Sequence, residues 1–313
     1  MRLLPYALLL LVLSCSKNDD DPAQPLTALQ NVQYGSAADS GGQTTSLLMD
    51  LYFPAGATTA DKYPLVLMIH GGGFTSGDKN DIKTHCRILA DSGFVTASIN
   101  YRLGWRTGSG SCNGDTASKR LAVYRAIQDA NAALRFLVSK SNSYAIDTNW
   151  IFIGGSSAGS GTALTTAYIP DAVAQQLTPT ERTLLGPLNT SGNSLTNGFT
   201  IKGVANLWGA LPDSSLVTAV TARAMISFHG TSDNVVPYDF GYANKCSNYA
   251  LEFGAACLTR RLHAVHVPYQ LYLKTGAGHG PDQYGPGFTM PRTAAFFKQI
   301  CRGEVIVNKV VVD

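Results

Sequence analysis

The chain has 313 residues, with 24 basic and 21 acidic side chains and a net charge of +3. A charge this small and this scattered excludes a nucleic-acid binder, which concentrates basic residues in a dense patch. Charged residues are 14% of the chain and hydrophobic residues 45%, so the chain buries a large core, and its length allows one large α/β domain or two ordinary ones.

At the N-terminus, Arg2 precedes an apolar run from Leu3 to Leu13. The run is too short to span a bilayer and suits the apolar region of a signal peptide over residues 1–14. Val12-Leu13-Ser14-Cys15 resembles the lipobox of bacterial lipoproteins. That resemblance implies cleavage before Cys15 and lipidation of its thiol; an ordinary secretory peptide cut elsewhere is the alternative. The acidic stretch Ser16 to Asp21 resembles the tether of lipoproteins sent to the outer face of the outer membrane, and it equally suits a solvated linker. Residues 15–28 are expected to be a lipid-anchored flexible tether. The expected location is therefore the cell envelope after export, with the lipid as the only membrane contact. Cys86, Cys112, Cys246, Cys257 and Cys301 remain; the expected pairs are Cys246–Cys257 and Cys86–Cys112. None has a metal-binding spacing, so no zinc site is expected.

From residue 29 onward a single catalytic domain is expected, in which short apolar runs alternate with amphipathic stretches. Leu47 to Phe53 alternates as a strand does, and Leu65 to Ile69 is a continuous aliphatic run, the mark of a strand buried on both faces. A helix is expected over Asp78–Ala90 and a buried strand over Phe94–Ile99. Thr116 or Ser118 caps a long helix to about Ser139, with Arg120, Arg125, Asp129 and Arg135 off its apolar stripe and solvated. Trp150 to Ile153 is a strand leading to a helix from Ala158 to Ile169. The irregular stretch 171–200 reads as a lid or a plain surface loop. Strands follow at Ile201–Leu207, Ala224–Phe228 and Gln270–Leu273, with helices at Tyr238–Phe253 and Met290–Ile300. This alternation predicts an α/β fold with a mainly parallel sheet and helices on both faces.

Chemistry concentrates in the loops after the strands. Gly155-Ser156-Ser157-Ala158-Gly159 lies between a buried strand and a helix. Only Ser157 has glycine at both −2 and +2, which is what a nucleophile on a strained strand-to-helix turn requires. A serine hydroxyl needs a base, and the base needs a carboxylate to fix its tautomer. His279 in Gly278-His279-Gly280 and Asp233 in His229-Gly230-Thr231-Ser232-Asp233 both fall in loops after strands. His70-Gly71-Gly72-Gly73-Phe74 follows the central strand, where glycines let backbone N–H groups approach a developing oxyanion. Gly72, Gly73 and Ala158 are the expected donors, with Gly71 the undecided neighbour. Phe74, Trp105, Trp208 and Tyr238 flank these loops and are candidate substrate-lining residues.

Together, His-Gly-Gly-Gly-Phe, Gly77-Asp78, Asn100-Tyr101-Arg102, Gly-x-Ser-Ala-Gly, His-Gly-x-x-Asp-x-x-Val-Pro and Gly-His resemble an α/β-hydrolase of the carboxylesterase and lipase group. The chain is similar to hormone-sensitive-lipase-like esterases and to bacterial feruloyl and acetylxylan esterases, over residues 30–302. The resemblance implies Ser157 as nucleophile, His279 as base and Asp233 as its orienting acid. It also implies hydrolysis of short-chain or carbohydrate-linked esters, acetyl or feruloyl, with no cofactor. Asn100 departs from the pattern, where aspartate more often precedes Tyr-Arg. Other readings on the same fold are an acyltransferase, an exopeptidase and a catalytically silent binding module.

Overall fold

The computed structural model describes residues 23–313; the expected signal peptide, Cys15 and the acidic stretch lie outside the described residues. In chain order the strands are β1 (Leu29–Ala38), β2 (Thr44–Tyr52), β3 (Tyr63–Ile69), β4 (Val95–Ile99), β5 (Ile146–Ser156), β6 (Ile201–Leu207), β7 (Ala224–Gly230), β8 (Phe240–Tyr242), β9 (Leu251–Phe253), β10 (Tyr269–Lys274) and β11 (Lys309–Val312). The helices are α1 (Lys83–Asp91), α2 (Thr116–Ser139), α3 (Ala158–Tyr168), α4 (Asp171–Leu177), α5 (Pro179–Leu185), α6 (Ala255–Ala264) and α7 (Pro286–Cys301). Nine strands form one sheet in the order β1-β2-β4-β3-β5-β6-β7-β10-β11. β1 and β2 are antiparallel to their neighbours and the rest are parallel.

The aliphatic run of β3 shows why the sheet needs helices on both faces. Leu65, Leu67 and Ile69 point into one core, with α2, α3 and α6 above them. Val66 and Met68 point into the other, with α1 and α7 below. Strand side chains alternate, so a strand apolar at every position is stable only between two layers.

Several expectations are corrected. Arg125, Asp129 and Arg135 are buried, because α2 is covered by the sheet on one side and by the segment 186–193 on the other. Asp129 pairs with Arg102 at 2.7 Å and also accepts the Arg102 backbone N–H at 2.8 Å. The same segment is fastened to α2 and β1: Gln128 donates to the Leu185 carbonyl, Arg135 to that of Ser191 and Asn193 to that of Tyr34, each within 2.9 Å. The stretch 171–200 also contains α4 and α5. The helix expected over 238–253 is instead the two-stranded β8–β9 sheet joined by a turn in which Asn244 and Lys245 have φ near +55°. The helix begins only at Ala255. At the N-terminal side, docking starts before residue 28, with Pro25 bridging Thr58 and Leu26 donating to Ala57.

The cysteine pairing differs as well. Cys112 is bonded to Cys246, 134 residues away. Cys86 faces the core from α1, and Cys257 lies on α6. Spacing along the chain carried no information about these directions.

Candidate active site

β5 delivers Ser157 into a sharp turn before α3, with φ of 53°. A left-handed conformation is strained for any residue with a Cβ. The turn is held by the Ser157 N–H donating to the Leu207 carbonyl at 2.9 Å. The flanking glycines are required by contact: a Cβ on Gly159 would lie 2.2 Å from the Ile69 oxygen, and one on Gly155 2.6 Å from that oxygen.

His279 bridges two of the expected residues. Its Nε2 is 2.8 Å from Ser157 Oγ and its Nδ1 is 2.7 Å from Asp233 Oδ2. The loops carrying Asp233 and His279 are stitched together, with the Ser232 N–H donating to the Ala277 carbonyl at 2.9 Å. Gly230 permits this approach, since a Cβ there would sit 2.3 Å from the Ala277 and Gly278 oxygens.

Asp233 is buried and fully used. Oδ1 accepts the backbone N–H groups of Val235 and Val236 at 2.8 and 3.0 Å. Oδ2 faces His279 and also His229 Nε2 at 3.2 Å. Burial alone would raise this carboxyl, but the hydrogen bonds and charges of His229 and His279 outweigh it and hold it well below the usual carboxylate range. His229 is fully buried on β7, and its Nε2 lies also 3.1 Å from the Val236 carbonyl. In the sequence His229 is one of six histidines that could serve as a base and part of the His-Gly-x-x-Asp motif; nothing in its spacing marks it as a partner of Asp233.

The glycine loop wraps over the Ser157 turn. The built Cβ of Gly71 would meet Ser156 and Ser157 at 3.1–3.4 Å. Gly72 has φ of 108° and Gly73 of 61°, and the Gly72 carbonyl accepts from Thr75 and Ser76 to close the turn. The Gly72 and Gly73 N–H groups donate to no acceptor among the described residues. Ala158 opens α3, where N–H groups lack intrahelical partners. Behind the loop, His70 stacks on Tyr101 with centroids 4.4 Å apart, and the Tyr101 hydroxyl donates to the His70 carbonyl at 3.1 Å.

The unexpected Asn100 also finds its reason here. Its carboxamide accepts from the Lys79 N–H at 2.6 Å and donates to Asp78 Oδ2 at 2.8 Å. Aspartate would set one carboxylate against another at that point; asparagine ties the Gly77-Asp78 bend to β4 with both halves of its side chain.

The four candidate lining residues separate. Phe74 is packed in the core beside Tyr101, and its carbonyl accepts from the Gly104 and Trp105 N–H groups. Tyr238 packs against Ala255 and Leu271 on the α6 side. The Phe74 ring is buried and the Tyr238 ring partly buried. Trp208 follows β6 with φ of 46° and lies beside Gly280, next to His279. Trp105 meets Tyr249 edge-on at 5.7 Å, with Lys119 above its ring.

A mainly parallel sheet flanked on both faces, with a serine elbow after β5, an aspartate after β7 and a histidine after β10 at its C-terminal edge, defines an α/β-hydrolase. The chain belongs to the BD-FAE family, whose profile matches residues 49–210. Among solved structures, Thermogutta terrifontis esterase 2 phosphorylated by paraoxon superposes with a TM-score of 0.63 at 20% identity, covering 87% of this chain and 94% of that one. A truncated carbohydrate esterase from gut microbiota gives 0.59 at 20% identity, covering 89% and 98%. These likenesses show the fold. Among curated proteins, Esterase E4 of Myzus persicae is 30% identical over 142 residues, 43% of this chain and 24% of that protein. The non-reducing polyketide synthase atr1 of Stereocaulon alpinum is 25% identical over 152 residues, 46% of this chain and 6% of that protein. The alignments thus span a quarter or less of these two relatives.

Proposed function

We propose that this protein is a serine carboxylic-ester hydrolase acting on short-chain or carbohydrate-linked esters, acetyl or feruloyl. The observation that carries the reading is the unbroken chain Asp233–His279–Ser157, with links of 2.7 and 2.8 Å ending on a strained serine. Asp233 holds the His279 Nδ1–H and so leaves Nε2 as the acceptor for the Ser157 proton. Ser157 Oγ then attacks the ester carbonyl. The resulting oxyanion is taken by the N–H groups of Gly72, Gly73 and Ala158, each worth about 3 kcal/mol in the barrier. His279 returns its proton to the departing alcohol, and water repeats the sequence to release the acid. Every step uses residues of this chain and needs no cofactor.

The short-acyl preference is consistent with the propionate and butyrate complexes of the Thermogutta esterase, and the carbohydrate alternative with the gut esterase. We further propose that the enzyme is exported and held at the cell envelope through Cys15. The test is a screen of nitrophenyl esters of graded chain length, acetylated xylan and feruloylated arabinose. Hydrolysis of at least one class by the native chain, and none by Ser157→Ala, is expected. Equal turnover by the two chains refutes the proposal.

A further inference from the structure

β11 is the outer strand of the main sheet on the β10 side. It runs parallel to β10, with Val310 beside Leu271 and Val312 beside Leu273. Asp313 continues the ladder: its N–H donates to the Leu273 carbonyl at 3.0 Å, and its carbonyl accepts the Thr275 N–H at 2.8 Å. Both backbone groups of Asp313 therefore face β10. Backbone groups alternate in direction along a strand as side chains do. Lys309 and Val311 thus also face β10, and Val310 and Val312 turn their N–H and C=O groups outward. Among the described residues no strand lies beyond them. Such an edge is a template for another strand.

The side chains favour a partner as well. Leu271 and Leu273 are covered by Ala255 and Ala256 of α6. The apolar surface runs on past that helix to Val310 and Val312, which are 51% and 60% exposed. Val305 and Val307, in the segment leading into β11, are more exposed still. On the other face Val311 packs onto the α7 core, and the Lys309 ammonium lies 5.1 Å from the Tyr272 ring centroid. Native sheets guard an edge with charge, proline, a bulge or a covering element. The charges here are Lys309 and Asp313, opposite in sign and four residues apart.

That order is its own complement. Lys309-Val310-Val311-Val312-Asp313, laid antiparallel on a second copy and centred on Val311, sets Lys309 opposite Asp313 and Val310 opposite Val312, each twice. The backbone selects the same register. Val310 and Val312 face outward, and opposed they form the hydrogen-bonded pairs of an antiparallel ladder. A slip of one residue would oppose outward-facing to inward-facing backbone, and a slip of two would lose both charge pairs. We infer that β11 is a self-association edge through which two copies of this chain join their sheets about a two-fold axis at Val311. The axis stands perpendicular to the sheet, so the α6 faces of the two copies run together and four valines meet between them. The contact is isologous and closes at the dimer. The parallel strands of the two copies point in opposite directions, so their Ser157 turns open at opposite ends, and the inference is independent of the reaction.

The test is sedimentation equilibrium of the full chain over a wide range of concentration. A reversible dimer is expected. Lys309→Glu and Asp313→Lys each set like charges opposite one another, and each should weaken the dimer at least tenfold. The double variant Lys309→Glu/Asp313→Lys restores opposite charges and should return the dissociation constant to within threefold of the native one. Val312→Pro removes an N–H that faces only outward, and should leave a monomer with the native circular dichroism spectrum. If that variant fails to fold, the charge exchange decides alone. A native chain that is monomeric throughout overturns the inference. So does an oligomer that the single charge variants leave intact or the double variant fails to restore, as one assembled through a lipid anchor or another face would be.

Discussion

His229 and His279 meet the same oxygen of Asp233, Oδ2, at 3.2 and 2.7 Å. The carboxylate is therefore shared between a buried imidazole on β7 and the half-buried imidazole that reaches Ser157. His229 disperses the charge that Asp233 offers to His279. Glu252 also lies near, paired with Lys119 at 3.3 Å; burial raises its carboxyl and Lys119 opposes that.

Replacing His229 with Leu removes a hydrogen bond to a charged group, an interaction worth about 1.5–3 kcal/mol. kcat/KM should fall by about tenfold. The acid limb of its pH profile should move to higher pH, since the largest of the interactions that hold the Asp233 carboxyl low is then lost. His229→Gln, which keeps an N–H near the position of Nε2, should recover part of the activity and the original limb. A pH–rate profile of both variants checks this; a loss of activity with an unmoved limb in His229→Leu assigns His229 a packing role only.

Asp233→Asn should lower kcat by about 10⁴-fold, because the wrong histidine tautomer is favoured when the acceptor becomes an amide. The carboxyl also contributes to stability. Its folded value is held below the unfolded one, so its contribution is complete above about pH 4 and is lost as pH falls through the lowered folded value. Urea-unfolding free energies of the native chain and Asp233→Asn, followed by circular dichroism, should differ most near neutral pH and converge as pH falls.

His85 provides a separate pH dependence far from the chemistry. Burial lowers it from 6.5 to about 4, and its Nδ1 has no partner. The folded state favours the neutral ring, so stability is complete above pH 6.5 and declines as pH falls toward 4. The decline attributable to this group is at most about 3 kcal/mol. Urea unfolding at pH 7 and pH 4.5 should show a smaller loss for His85→Gln than for the native chain.

Reduction of Cys112–Cys246 should destabilise the fold. The bond closes a loop of 134 residues and joins the segment after β4 to the one that follows Asp233. Removing such a crosslink costs about 2–5 kcal/mol. Cys112→Ser/Cys246→Ser should unfold at a lower temperature than the native chain in calorimetry, and dithiothreitol should lower the native midpoint but not that of the variant.

What could be read from the sequence were the features that a local requirement writes into adjacent residues. Gly155 and Gly159 are glycine because Ile69 lies within a Cβ's reach, and Leu65 to Ile69 is wholly aliphatic because both faces of β3 are covered. The features that could not be read depend on what folds over them. Asp129 looks like a solvated helix residue until Arg102 and Ser191 are brought onto α2. His229 looks like a motif residue until the chain turns back through Val236. Phe240 and Tyr242 have helical neighbours in the sequence pattern, yet pair as a strand because β9 and the disulfide hold them. How far Phe74 and Tyr238 are buried beside their loops is a matter of side-chain direction that spacing does not encode.

The central claim is that Ser157 is the nucleophile, activated by His279. The most direct measurement is reaction with a fluorophosphonate followed by peptide mapping. The account predicts one adduct per chain, on Ser157 and not on the adjacent Ser156, with labelling lost in heat-denatured protein and slowed at least a thousandfold in His279→Ala. An unlabelled native chain, or an adduct on Ser156 or any other residue, would contradict it.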